Sequence, residues 1–300
     1  MLTTLLGVAR LPFLTLSVLC VGLAAAGAWY QHGSLSIALL LLVMLLALAA
    51  HISVNAFNEY FDFRSGLDFL TERTPFSGGS GTLVAAPRQA RLALWLALGT
   101  LLLVSVLGLY LSARIDWHLL WLGLAGVLLI YSYTDYINKS PLLCLLAPGL
   151  GFGALMTFGS YWVLAGAPDM LAVSLSGLVL LLVCNLLLLN QFPDVEADRK
   201  VGRRHLPIVL GRAQAANIFS ALLLLCYLWL LLSVVLGWLP AASLLALLSL
   251  PLALGLLRDI KPLADSPKQL PPLLGRNVLL THALPALVLL GLVLARLMEI

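Results

Sequence analysis

The sequence contains few charged residues, and this scarcity excludes most kinds of soluble protein. Only 10% of its 300 residues are Asp, Glu, Lys or Arg, whereas soluble domains carry about 25%. Hydrophobic residues make up 62% of the chain. No polar stretch between the hydrophobic runs is long enough to fold as a separate soluble domain. We therefore expect residues 1–300 to form a single integral membrane domain, and we expect no nucleic-acid partner.

Cysteine is also scarce, and its positions exclude a disulfide framework or a cysteine-based metal site. The four cysteines stand singly in apolar segments, without the paired spacings of zinc sites or disulfide-rich domains. We interpret them as small buried hydrophobic residues.

A nucleotide-binding P-loop is missing as well. The glycine-rich stretch Phe76–Thr82 does not end in Gly-Lys-Ser or Gly-Lys-Thr. This stretch is interpreted either as a mobile loop near a site, acting as a lid, or as a plain flexible connection.

Long apolar runs are what the sequence has in abundance. A helix that crosses a bilayer needs about 20 mostly apolar residues, and nine runs meet that requirement. These runs are rich in Leu and do not alternate polar with apolar residues, which favours helices over a β-barrel. The sequence therefore predicts an all-α polytopic membrane protein. The nine predicted spans are approximately residues 11–30, 35–62, 89–111, 117–134, 142–165, 170–194, 213–236, 239–257 and 278–298.

Positive charges fall mainly on one side of this predicted topology. Of the 17 Lys and Arg residues, 15 lie near the N-terminus or in connections that follow even-numbered spans. Only Arg114 and Arg296 lie on the other side. Cytoplasmic loops are enriched in Lys and Arg. We therefore expect a protein of the cytoplasmic (inner) membrane whose N-terminus and even-numbered connections face the cytoplasm.

Polar residues gather at the end of the second predicted span. His51, Asn55, Asn58 (or Glu59) and Asp62 recur at steps of three and four, so they share one helical face. Asp68 follows shortly afterwards, beyond a glycine that permits a tight turn. Because ionisable groups at membrane depth are costly, this first acidic cluster predicts a functional site. His51 is interpreted either as a residue of that pocket or as a core histidine bonded to a carbonyl.

A second acidic cluster ends the sixth predicted span. Asn190, Asp194 and Asp198 are spaced four residues apart, which places them on one helical face. Pro193 lies within the stretch and is expected to kink the helix or to release carbonyl groups toward a cavity. Both clusters fall on the same side of the predicted topology.

Two arrangements relieve the repulsion between such close carboxylates. In the first, Asp194 and Asp198 pair with Arg199, Arg203 and Arg204 as a solvated helix end. In the second, divalent cations lie between the clusters. Mg²⁺ binds oxygen ligands, usually one or two carboxylates together with substrate phosphates and waters. Acidic clusters flanked by Arg and Lys therefore favour a metal-bridged diphosphate.

Both clusters resemble the two signature motifs of the UbiA superfamily of intramembrane prenyltransferases, and the likeness covers nearly the whole chain. Glu59 stands where many members of the superfamily have Asp. Residues 131–163 resemble the segment between the fourth and fifth spans of the subfamily that prenylates dihydroxynaphthoate, in which Tyr131 and Lys139 match positions that line the substrate pocket. The two motifs are Asn58-x-x-x-Asp62 with Asp68, and Asp194-x-x-x-Asp198-Arg-Lys-x-Gly-Arg-Arg followed by Leu-Pro-Ile-Val-Leu-Gly.

This resemblance implies nine transmembrane helices around a central cavity, and Mg²⁺-dependent transfer of a polyprenyl group from its diphosphate to an aromatic quinone precursor. It also implies roles for individual residues. The implied metal ligands are Asn58, Asp62, Asp68, Asn190, Asp194 and Asp198. The implied diphosphate-binding residues are Asn58, Arg73, Lys139, Arg199, Lys200 and Arg203. The implied catalytic residues are Asp62, Asp68, Asp194, Asp198 and Tyr131. The ring of Tyr131 would face the allylic carbocation that forms when the diphosphate leaves, or it would orient the acceptor.

The sequence is compatible with several alternatives. The segment 131–163 favours 1,4-dihydroxy-2-naphthoate as the acceptor, but 4-hydroxybenzoate, homogentisate, a chlorin or haem is also compatible. A transporter is the alternative from another class, because transporters also place acidic residues in broken membrane helices. Against it, the acidic residues lie at one interface beside basic connections, and no inverted repeat is visible. A CDP-alcohol phosphotransferase would carry an Asp-Gly…Ala-Arg signature, which the sequence lacks.

Overall fold

The computed structural model describes residues 1–74 and 76–298, and these residues contain α-helices but no β-strand. The prediction of an all-α fold is therefore confirmed. The two longest helices of other types continue α-helices: a π-helix at Leu150–Thr157 joins α7 to α8, and a 3₁₀ helix at Ala241–Ser249 leads into α13. The α-helices are α1 Leu2–Ala9, α2 Leu14–His32, α3 Ile37–Ser65, α4 Thr82–Ala85, α5 Ala90–Arg114, α6 Leu119–Asp135, α7 Pro141–Gly149, α8 Phe158–Ala165, α9 Met170–Asn190, α10 Val195–Lys200, α11 Leu206–Val209, α12 Arg212–Val235, α13 Leu250–Leu263 and α14 Pro271–Leu297.

Within the described residues, eight helical segments are long and apolar enough to cross a membrane. They correspond to every predicted span except the fourth, where α6 is a shorter apolar helix of 17 residues. The predicted count of nine is thus approximate. Lipid offers no hydrogen bonds to a polypeptide backbone, so apolar runs of this length fold as helices.

Helix α3 begins at a residue that caps its first turn and ends at a glycine that turns the chain. The Ser36 hydroxyl accepts a hydrogen bond from the Leu39 N–H at the start of α3. At its other end, Gly66 adopts a left-handed conformation with φ 81°, which is the tight turn expected there. This turn directs the following 3₁₀ helix, Leu67–Phe69, back toward the end of α3.

Helix α9 lies at the centre of the largest hydrophobic core and packs against α7, the π-helix, α12 and α14. Two glycines permit its close contact with the segment α7–π–α8. A Cβ atom at Gly149 would lie 2.5 Å from the Leu180 carbonyl oxygen, and one at Gly153 would lie 2.5 Å from that of Ser176. Small residues four apart allow membrane helices to approach this closely. The π-helix is thereby held against α9, and it also contacts α2 and α6.

The chain on the other side of the bundle packs around α3, which contacts α1, α2, α5 and α6. The four cysteines are buried and free, as expected for small hydrophobic residues.

The structure corrects the predicted end of the sixth span. Helix α9 ends at Asn190, a turn follows, and α10 starts at Val195, so the second acidic cluster spans two helices and not one. Pro193 in the turn explains the break, because proline cannot donate to the helix. The carbonyl of the adjacent Phe192 accepts a hydrogen bond from Arg212 Nε at 3.0 Å, which ties this turn to the start of α12.

Candidate active site

A cavity of about 980 Å³ extends into the bundle, and most of its wall is apolar. Charged and polar side chains gather at one end, where α3, the turn after α9 and α10 meet. We call this region the polar end of the cavity. All six predicted oxygen ligands line it. Its members are Arg10, Asn55, Asn58, Asp62, Asp68, Asn190, Asp194, Asp198, Arg203 and His205.

The two acidic clusters meet at the guanidinium group of Arg203. Its Nη2 donates to Asp62 Oδ1, and its Nη1 donates to Asp198 Oδ1 at 3.0 Å. The second carboxylate oxygen of Asp198 pairs with His205 Nε2 at 2.9 Å. Arg203 thus contacts Asp62, which lies 141 positions earlier in the sequence, and brings the two acidic clusters side by side.

Burial and the neighbouring carboxylates shift the pKa of Arg203 in opposite directions. Burial alone would lower its pKa, but the carboxylates of Asp62 and Asp198 outweigh this effect and raise the pKa above its ordinary value. Arg203 is therefore a fixed positive charge at the polar end of the cavity.

Among the residues that the structure describes, Asp68 and Asp194 form no ion pair, and their carboxyl groups are harder to ionise. Burial raises the pKa of Asp68 to about 7, with a further contribution from the carboxylates of Asp62 and Glu59. Burial, followed by the carboxylate of Asp198, likewise raises the pKa of Asp194 to about 7. A nearby cation would stabilise the ionised form of both groups.

The oxygen atoms at this end fit a hard divalent cation. Within residues 1–74 and 76–298, Asp68 Oδ2 and Asn190 Oδ1 are buried without a hydrogen-bond partner. Carboxylate and amide oxygens are suitable ligands for Mg²⁺. In the part of the chain that the structure describes, no three Asp, Glu, His or Cys side chains are arranged to hold a metal ion by themselves. Mg²⁺ usually keeps water and substrate phosphate among its ligands, and these would have to complete its coordination here.

The structure separates the predicted diphosphate-binding residues into two groups. Asn58 and Arg203 line the cavity. The other four residues are exposed, and they are not among the described residues that line the cavity. Arg73 Nη2 donates to the Asp68 carbonyl at 3.0 Å, Lys139 Nζ lies 5.9 Å from the ring centroid of Tyr136, and Arg199 lies 3.9 Å from Glu196. The four are Arg73, Lys139, Arg199 and Lys200.

Tyr131 does not line the described cavity. It is 49% exposed and packs edge-on against Phe57, at 5.8 Å between ring centroids, and against Phe61. Tyr133, two residues along α6, lines the cavity. Successive residues of an α-helix are about 100° apart around its axis, so residues two apart point in nearly opposite directions.

Sequence reasoning missed several residues of this site. Arg10 was counted only for topology, but its side chain lines the cavity from a left-handed backbone conformation with φ 53°. Tyr133 and Asn138 also line it, and the Asn138 carbonyl accepts a hydrogen bond from the Arg204 N–H at 2.8 Å. His205 lines the cavity as well, and its position directly after the arginine pair of the second motif is the sequence signal that could have identified it.

His51 lines the cavity wall deeper in the bundle. Its Nδ1 is 2.8 Å from the Ser17 hydroxyl, and its ring meets Phe152 edge-on at 5.0 Å between centroids. The histidine is therefore fixed by a hydroxyl and an aromatic ring, and the predicted bond to a carbonyl is replaced by one to Ser17.

An all-helical membrane bundle with charged side chains at one end of an apolar cavity defines a polytopic membrane protein with an intramembrane site. The chain belongs to the UbiA prenyltransferase family, whose model matches residues 16–270. The resemblance inferred from the two acidic motifs is thereby confirmed.

Two curated relatives act on naphthalene derivatives by name. The chain is 31% identical over 198 residues to a 1,4-dihydroxy-2-naphthoate octaprenyltransferase of Bacillus subtilis, an alignment that covers 64% of the chain and only 61% of that relative. It is 25% identical over 267 residues to a 2-carboxy-1,4-naphthoquinone phytyltransferase of Synechocystis sp., covering 86% of the chain and 82% of the relative.

Solved structures share the fold at low sequence identity. A UbiA homologue from Aeropyrum pernix matches with a TM-score of 0.71 and 17% identity, over 93% of this chain and 97% of that one. A digeranylgeranylglyceryl phosphate synthase matches with a TM-score of 0.68 and 19% identity, over 97% and 98%. A UbiA homologue from Archaeoglobus fulgidus, bound to GPP and Mg²⁺, matches with a TM-score of 0.63 and 13% identity, over 96% and 99%.

Proposed function

We propose that this protein transfers a polyprenyl group from polyprenyl diphosphate to 1,4-dihydroxy-2-naphthoate in a Mg²⁺-dependent reaction that releases pyrophosphate. The observation that carries the proposal is the Arg203 guanidinium, which joins Asp62 and Asp198 at the polar end of an otherwise apolar cavity. A lipid diphosphate has the same division into a charged head and an apolar tail.

The residues at the polar end suit the binding of a diphosphate. Asp68, Asn190 and Asp194 supply oxygen ligands for Mg²⁺, together with the motif residues Asn58, Asp62 and Asp198. Bound Mg²⁺ would neutralise charge on the departing pyrophosphate. Arg203 adds a planar guanidinium, which can donate two parallel hydrogen bonds to phosphate.

The rest of the cavity suits the reactive part of the proposed chemistry. An allylic carbocation is captured by water, so its formation requires a site from which water is excluded. The wall between the polar end and His51 is mostly apolar. A volume of about 980 Å³ lies at the upper end of the roughly 300–1,000 Å³ of ligand pockets, which leaves room for an aromatic acceptor beside part of a prenyl tail.

The choice of a naphthoate acceptor rests on two supports. Residues 131–163 resemble the corresponding segment of the dihydroxynaphthoate subfamily. Both curated relatives also carry a naphthalene derivative in their names. Membrane lipid would surround the exposed apolar surface and deliver the prenyl diphosphate.

Purified protein in lipid nanodiscs tests this proposal. It is supplied with Mg²⁺, geranylgeranyl or octaprenyl diphosphate, and a panel of dihydroxynaphthoate, 4-hydroxybenzoate and homogentisate. We expect pyrophosphate release together with a prenylated naphthalene product identified by mass. A product from another acceptor alone would contradict the proposed substrate, and substrate flux across liposomes without any product would support the transporter alternative.

We also propose that the polar end of the cavity faces the cytoplasm in the inner membrane. Basic residues gather at this end, and cytoplasmic loops are the basic ones. At the opposite end, the Arg296 guanidinium near the end of α14 packs against Gly33 at the end of α2. The two helices therefore finish on the same side of the bundle.

Cysteine labelling tests this orientation. Lys268→Cys places an exposed thiol at the predicted cytoplasmic end of the bundle, and Ala167→Cys places one at the opposite end. The four native cysteines are buried. In intact cells, we expect a membrane-impermeant maleimide to label Ala167→Cys but not Lys268→Cys, with the reverse result in inside-out vesicles. Labelling of Lys268→Cys in intact cells would reverse the assignment.

A further inference from the structure

Glu59 belongs to the first acidic motif by sequence, but its carboxylate is bound by protein donors. The side chain is 0% exposed. Its Oε1 accepts hydrogen bonds from Arg10 Nε at 2.7 Å and from the Ser80 N–H at 2.8 Å, and its Oε2 accepts from the Ser80 hydroxyl at 2.7 Å. Both carboxylate oxygens are therefore engaged with two other segments of the chain, and Glu59, unlike Asp62 and Asp198, is not among the residues that line the described cavity.

The first of these segments is the junction between α1 and α2. Arg10 Nη2 lies 2.5 Å from Glu59 Oε1 and also donates to Asn58 Oδ1 at 3.1 Å. A second contact holds the same junction, because Asn55 Nδ2 donates to the Ala9 carbonyl at 3.0 Å. The N-terminal segment is thereby fixed to the end of α3 that carries the first acidic cluster.

The second segment is the glycine-rich loop, which we define as Phe76–Thr82. Its residues Phe76 to Ser80 line the cavity. Gly79, with φ 73°, approaches Asp68 so closely that a Cβ atom would lie 2.9 Å from Oδ1. On the other side, the backbone N–H of Gly78 faces the Asp194 carboxylate. The loop therefore passes from one acidic cluster to the other.

We propose that Glu59 is a positioning residue and not a metal ligand: with Arg10, it fixes the glycine-rich loop across the polar end of the cavity. This inference rests on the proposed function and adds a role for a residue that the motif would assign to metal. The Glu59 carboxylate neutralises Arg10 and binds Ser80 through both backbone and hydroxyl. The loop is then held where Gly78 and Gly79 face Asp194 and Asp68.

Steady-state kinetics separate positioning from metal binding. In Glu59→Ala and in Ser80→Ala, we expect the KM for prenyl diphosphate to rise about 10-fold or more, because hydrogen bonds to a charged group are lost. The Mg²⁺ concentration that gives half-maximal activity should stay within about twofold of the wild-type value, because the ligands of the metal are unchanged. Glu72→Ala, an exposed carboxylate in the same connection, is the matched control. A large shift in the Mg²⁺ requirement of Glu59→Ala, with an unchanged KM, would overturn the proposal.

Hydrogen exchange at residues 76–82 provides a readout that does not depend on activity. We expect faster exchange in Glu59→Ala and Ser80→Ala, and little change in Glu72→Ala. A double variant, Glu59→Ala with Ser80→Ala, should exchange no faster than Glu59→Ala, because removing the Glu59 carboxylate already removes both of its hydrogen bonds to Ser80. Ser80→Ala keeps the ion pair between Arg10 and Glu59, so it remains informative if Glu59→Ala does not fold. Wild-type exchange rates in Ser80→Ala would contradict the positioning role. Absence of prenyl transfer in the wild type would instead contradict the proposed function, and the exchange data would still stand.

Discussion

Replacing Asp62 or Asp198 by alanine is expected to abolish prenyl transfer. Each carboxylate belongs to a different acidic cluster, and both are buried and paired with Arg203. Either substitution removes an oxygen ligand for Mg²⁺ and also leaves Arg203 without one of its two partners. Loss of one preorganised electrostatic group commonly lowers kcat by about 10²–10³, and we expect at least this decrease, measured as pyrophosphate release.

Two further variants make this result interpretable. Asp62→Asn retains the shape of the side chain, so a loss of activity without unfolding points to the missing charge. Asp116→Ala removes a carboxylate that lies outside the cavity lining and is bonded to His118, and it should retain activity. Full activity in Asp62→Ala or Asp198→Ala would contradict the assignment of these residues.

Arg203→Met is expected to destabilise the protein strongly. Methionine has a similar length but no charge, so Asp62 and Asp198 would remain buried and face each other without their shared cation. Breaking a buried ion pair by removing one partner costs about 3–5 kcal/mol. We expect a clear decrease in the temperature of thermal unfolding in EDTA, followed by tryptophan fluorescence.

Mg²⁺ is expected to restore part of the stability that Arg203→Met loses. A divalent cation that binds the folded state stabilises it, and it would offset the repulsion that Arg203→Met exposes. Mg²⁺ should therefore raise the unfolding temperature of Arg203→Met more than that of the wild type. Arg204→Met, at an exposed neighbouring position, is the control. Wild-type stability of Arg203→Met in EDTA would show that the bridge contributes nothing to folding.

The membrane fold could be predicted from the sequence because lipid imposes a simple rule. Backbone groups must be bonded within the segment, so each long apolar run forms a helix whatever its neighbours are. The acidic clusters were equally readable, since a charge in such a run has few acceptable positions. Pro193 also marked the break after α9, although the sequence alone did not show that two separate helices would result.

The rotation of helices and the partners of single residues could not be predicted in this way. Tyr131 and Tyr133 are two residues apart, and which of them enters the cavity depends on how α6 packs against Phe57 and Phe61. Arg10 reaches Glu59 across 49 residues from a left-handed backbone conformation. Such contacts arise from tertiary packing, and neither periodicity nor motif spacing contains them.

The bridge at Arg203 has a consequence for the biogenesis of the protein. Asp62 is translated 141 residues before the arginine that neutralises it. While the ribosome is still producing the later helices, the inserted N-terminal half carries an acidic side chain without its permanent counter-ion. The ion pair between Asp62 and Arg203 can therefore form only after synthesis has passed α10. Until then, a carboxylate in the first third of the chain lacks the cation that the last third supplies.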